Sequence, residues 1–94
     1  MTVGLLTLEL YAPEARTLKD RRSAVNSLKD RLRSTFNVSV SETDHQELRN
    51  RVQLGVAAVT TGDKHCREVL DKVLSYCRRP GPLQVVDHDL ELIY

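Results

Sequence analysis

Aromatic residues are scarce in this chain: one phenylalanine and three tyrosines among 94 residues. A sheet that reads single strands by base stacking needs rings side by side, so this poverty narrows the ways the chain can meet nucleic acid. Cysteine is scarce too. Cys66 and Cys77 are eleven positions apart on one helical run, about 16 Å along its axis, too far to bridge within one chain. Two cysteines at that spacing make no zinc signature; they read as reduced core thiols of a cytoplasmic protein. The glycines form no phosphate-cradling loop, and no nucleophile elbow is present. No apolar run is long enough to span a bilayer, which argues against a membrane partner. Met1–Leu10 lacks the basic start of a signal peptide and has the pattern of a strand. The net charge of +1 gives no bulk attraction for a polyanion, so any such attraction must come from a local patch.

The length fits one domain with one modest core. Thr2–Tyr11 alternates as a strand, with Gly4, Leu6, Leu8 and Leu10 on the core side. After a loop through Pro13, Thr17–Asn37 holds an amphipathic helix reaching about Thr35. Thr17 caps it, and Asp20 completes a capping-box pattern. Leu18, Val25, Leu28 and Leu32, with Ala24, form its apolar face.

Phe36–Glu42 reads as a second strand, with Phe36 anchoring the first helix to the sheet. Asp44 and Glu47 are placed to cap a short turn. Arg51–Thr60 is a third strand, long enough to be central. Asp63 then caps a helix over Lys64–Arg79, whose Cys66, Val69, Leu70, Val73, Leu74 and Cys77 share a face. Arg78 and Arg79 suit the negative end of its dipole. Leu83–Tyr94 is a fourth strand. Val86, His88, Leu90 and Leu92 share one face, and a bulge falls near Val86 or Asp87.

This order, with two helices on one side of a four-stranded antiparallel sheet, predicts the α+β, ferredoxin-like βαββαβ arrangement as a single domain over 1–94. Its other sheet face is open. On the central strands that face carries Val3, Leu5, Thr7 and Glu9 beside Gln53, Gly55, Ala57 and Val59, with Tyr11 the only ring. Base stacking there is not expected. Val3, Leu5, Ala57 and Val59 instead make an apolar patch, a candidate homodimer or adaptor interface.

Charge is concentrated on the first helix. Arg16–Arg33 carries seven Lys/Arg against two Asp, a net of +5, leaving −4 for the remainder. Lys19, Arg22, Lys29 and Arg33 fall on the flank beside the apolar face. They are candidates for phosphate contacts to structured RNA or a ribonucleoprotein; the plainer reading is a solvated outer face. His45 lies among Glu42, Asp44 and Glu47, but the spacing matches no metal motif. His65 and His88 read as structural. No catalytic residue, metal ligand or cofactor is expected.

Leu18-Lys19-Asp20-Arg21-Arg22, Leu28-Lys29-Asp30-Arg31-Leu32-Arg33, Phe36-Asn37-Val38-Ser39-Val40, Asp44-His45 and Leu54-Gly55-Val56-Ala57 together resemble the YlxP-like family of small bacterial proteins. The resemblance runs from Val3-Gly4 to the last strand. It implies a ferredoxin-like fold, and a family of unknown function whose genes tend to lie among translation and ribosome-maturation genes. It supplies no functional residue. One position departs from it: many relatives carry an aromatic where this chain has Arg49.

Overall fold

The structure, a computed structural model, describes residues 1–94. Its elements are β1 (Thr2–Tyr11), α1 (Leu18–Thr35), β2 (Ser39–Asp44), β3 (Arg51–Thr60), α2 (Asp63–Cys77) and β4 (Gln84–Leu92). The strands form one antiparallel sheet in the order β2-β3-β1-β4. This is the ferredoxin-like fold, with β1 and β3 in the centre.

Strict alternation sets the two sheet faces. Leu6, Leu8 and Leu10 of β1 and Val52, Leu54, Val56 and Ala58 of β3 are buried. They meet Val25, Leu28 and Leu32 of α1 and Cys66, Leu70, Val73, Leu74 and Cys77 of α2 in a single cluster. The odd-numbered residues of β1 look out from the other face and are half-buried up to Glu9.

Both helix starts use short polar contacts. The Thr17 side chain accepts a hydrogen bond from the Asp20 N–H (3.0 Å), and the Asp20 carboxylate reaches back to accept from the Arg16 N–H (3.2 Å). That is the expected box, displaced by one residue on its return arm. At α2 the cap is Gly62, without a side-chain bond. Asp63 is not the cap, because the Thr2 hydroxyl donates to its carboxylate (2.6 Å). It ties the start of β1 to the start of α2 instead.

Five further expectations change. The inward row of α1 is Arg21, Val25, Leu28 and Leu32, at the spacing of one helical face; Leu18 is 37% exposed at its rim. The second strand begins at Ser39 rather than Phe36. Phe36 closes α1 as its C-cap and packs edge-on against Tyr76 (centroids 5.9 Å, 85°), so it joins α1 to α2 rather than to the sheet. The second helix ends at Cys77. In β4, Leu10 pairs with Val85 and Glu9 with Asp87. Val86 is therefore the bulged residue, and it is half exposed rather than facing the helices.

Candidate nucleic-acid interface

The basic stripe follows from the row beside it. Arg22, Lys29 and Arg33 each stand one residue, about 100°, after an inward position, so they lie along the flank of α1. Arg22 to Arg33 spans about 17 Å of axis at 1.5 Å per residue. Lys19 and Arg22 are exposed and Lys29 is half-buried. None of these three forms an ion pair. Arg33 is partly engaged. Its Nη2 donates to the Val40 carbonyl (2.7 Å), and its Nη1 lies 3.7 Å from Asp30. It braces the β2 edge while its side chain stays 47% exposed.

Arg21, a member of the same basic run, is lost to the surface. It is buried and paired with Glu42 of β2. Its Nη2 also donates to the carbonyls of His45 (2.7 Å) and Arg51 (3.0 Å), and its Nε to Arg51 (3.2 Å). His45 adopts φ 65°, a left-handed conformation costing roughly 1 kcal/mol or more in a non-glycine residue. Arg21 holds the carbonyl of that residue, so it fixes the β2–β3 connection against α1.

The acids around His45 divide between the two faces of the sheet. Glu42 turns to Arg21 on the helix side. Glu9, distant in sequence, is the carboxylate nearest the imidazole, with its Oε2 at 3.2 Å from His45 Nε2; Asp44 Oδ1 lies 3.9 Å from Nδ1. Its Oε1 accepts from Gln53 (2.6 Å), and Gln53 accepts from Thr43 (2.7 Å). This polar ladder crosses β2, β3 and β1. No group of three or more His, Cys, Asp or Glu side chains is arranged to hold a metal ion. His88 stands 3.4 Å from an Arg78 nitrogen.

The open sheet face has two zones. Val3 pairs with Val59 and Leu5 with Ala57 across β1 and β3, so the four apolar candidates form one contiguous patch. Glu9, Thr7 and Leu5 pair on their other side with Asp87, Asp89 and Glu91. Cross-strand partners share a face, which puts this exposed acidic row beside the apolar patch. Spacing within β4 alone shows the alternation but not which face receives it. The molecule is thus electrically two-sided, with the free cations of α1 over the helix layer and the β4 acids on the sheet face.

Among known proteins, a family model described as a protein of unknown function (DUF503) matches residues 3–90. The chain belongs to the DUF503 family. A relative of this chain is the uncharacterized protein YlxP of Bacillus subtilis (strain 168). It is 30% identical over 74 residues, covering 79% of this chain and 80% of that protein. The DUF503 span holds every residue of the stripe, the sheet patch and the Arg21 network. No helix of this family member is long and apolar enough to cross a membrane.

Proposed function

We propose that this DUF503 protein is a non-enzymatic, cytoplasmic binding module that engages structured RNA or a ribonucleoprotein through Lys19, Arg22, Lys29 and Arg33. The separation of charge carries the reading: three side chains of the stripe have no acid partner, and the β4 acids lie on the opposite face. A polyanion is attracted to the helix layer and repelled from the sheet. Cations aimed at phosphates position a partner without reading its bases, so little sequence preference follows. The gene neighbourhood that the YlxP-like resemblance implies, among translation and ribosome-maturation genes, points the same way.

Arg33 also supports β2, so the clean test leaves it in place. Lys19→Gln, Arg22→Gln and Lys29→Gln together should weaken retention of structured RNA by tenfold or more, with an unchanged melting temperature. Wild-type affinity should fall with salt at a log–log slope of about −3 to −4, the mark of three to four engaged phosphates. Binding that survives the triple change, or a slope near zero, would exclude the stripe.

A second reading, an adaptor that self-associates, has support in the contiguous Val3–Val59 and Leu5–Ala57 patch. The acidic row beside it opposes copy-on-copy contact at low salt. Any such dimer should therefore strengthen as salt rises and be abolished by Leu5→Lys. Sedimentation showing a monomer at high protein and salt concentration removes this reading.

A further inference from the structure

The other flank of α1, facing α2, holds a second cationic feature. A hollow of about 100 Å³ opens between α1, the end of α2 and the Pro80-Gly81-Pro82 turn. Leu28, Cys77 and Leu83, all buried, form its apolar lining. Burial pushes the Cys77 thiol up to about 11, against the opposing pull of the Arg31 charge. It is a neutral thiol at physiological pH and not a nucleophile. The hollow is far smaller than the roughly 300–1,000 Å³ of a cofactor cleft. It suits a single compact group.

Its polar lining is cationic and contains no acid. Arg31 and Arg79 both stand over the Tyr76 ring in cation–π contact, their guanidinium carbons 5.9 and 5.1 Å from its centroid. Neither forms an ion pair. Tyr76 is itself steadied by Phe36, and Arg31 Nε donates to the Ser27 carbonyl (3.3 Å). A guanidinium held over a ring face still has N–H donors to offer; with Nε on Ser27, Arg31 keeps those of its two Nη groups. Arg31 from α1 and Arg79 from the turn that follows α2 bring such donors to one hollow, an arrangement that a tetrahedral oxyanion can use. Arg79 therefore does more than complement the dipole of α2.

We infer that this hollow is a phosphate-binding pocket, with Arg31 and Arg79 as its ligands and Tyr76 as the platform that orients them. The phosphate belongs either to a free nucleotide or to the end or backbone of an RNA strand. The second source rests on the RNA-binding reading above; the pocket itself stands on its own geometry.

The test is an NMR titration of the ¹⁵N-labelled protein with inorganic phosphate, AMP, and an eight-nucleotide RNA with or without a 5′-phosphate. Phosphate and AMP should shift the Cys77 and Gly81 amides and the Arg31 and Arg79 Nε–H signals. Arg31→Gln with Arg79→Gln should weaken AMP binding at least tenfold, with the fold checked by circular dichroism. The stripe variant (Lys19, Arg22 and Lys29 to Gln) should bind AMP as the wild type does. AMP binding equal to that of the RNA identifies a free nucleotide. Tighter binding of the 5′-phosphorylated strand than of the 5′-hydroxyl strand identifies a strand end, and equal, tighter binding of both strands identifies the backbone. Should RNA binding fail while AMP still binds the pocket, only the stripe is lost. The pocket is overturned if no phosphate ligand shifts these signals, or if the Arg31/Arg79 variant binds AMP unchanged.

Discussion

Arg21→Ala should cost about 3–5 kcal/mol of folding stability, the range for breaking a buried ion pair from one side. In a domain of this size that corresponds to a fall in melting temperature on the order of 20 °C. The loss has two parts. Glu42, only 14% exposed, keeps a charge with nothing to neutralise it. The carbonyls of His45 and Arg51 lose the donor that reached them from α1. The left-handed His45 then has less to hold it, and the β2–β3 connection should loosen first. Adding Glu42→Gln to an Arg21→Met background should recover part of the loss, because the orphaned charge goes while the unmet carbonyls stay. Urea unfolding of the four proteins in that cycle measures it. A cost below about 1 kcal/mol for Arg21→Ala, or a double variant no better than Arg21→Met, would show that the pair is not what secures α1 to the sheet.

Gly4→Ala is the second large effect, and it arises from space alone. A Cβ on Gly4 would lie 2.5 Å from the Cys66 Sγ and 2.8 Å from Leu70 Cδ1. The Leu70 methyl ends a flexible side chain and can turn away. The Cys66 sulfur sits only two bonds from the α2 backbone in a fully buried site, so helix and strand must part. Overpacking of this kind costs typically about 1–3 kcal/mol. That outweighs the roughly 0.4–1 kcal/mol gained by restricting the unfolded chain. Cys66→Ala removes the colliding atom. The double variant should therefore be at least about 1 kcal/mol more stable than the sum of the single changes implies. Chemical denaturation reads the coupling directly, and a neutral Gly4→Ala would mean that Cys66 lies further from β1 than a 2.5 Å approach to that Cβ requires.

Arg21 shows where sequence patterns stop. The apolar row of α1 was legible as Val25, Leu28 and Leu32, yet Arg21 occupies the next position of the same row. Periodicity identifies an inward side by the greasiness of its members, and it has no means of admitting a buried cation. The partner that makes Arg21 tolerable, Glu42, is twenty-one residues away. Asp63 was misread for a related reason. A carboxylate at a helix start is the ordinary sign of a cap, and nothing local reveals that Thr2 reaches it across the fold. Phe36 gave a strand signal because a ring followed by alternating residues resembles one; Tyr76 on the other helix takes the ring instead. The bulge in β4 was legible because Leu83 and Val85 fall out of phase with the residues after them. The position of Lys19, Arg22, Lys29 and Arg33 along one flank of α1 was legible, since it needs only the helix; the bond from Arg33 to the Val40 carbonyl was not. The Arg31–Tyr76–Arg79 hollow was not, for its parts come from two helices and a turn.

The linear order of residues determined the kind of each element, the bounds of β1 and β3, the ferredoxin-like topology and the cationic flank of α1. Those properties depend on alternation, helical period and capping, which act over a few neighbours. Tertiary structure alone decided that Arg21 is buried, that Glu9 rather than Glu42 meets His45, that the β4 acids share a face with the apolar patch, and that two arginines converge on Tyr76. Each of these needs chain segments far apart to be brought within a few ångströms, and that placement is made by packing the whole core at once.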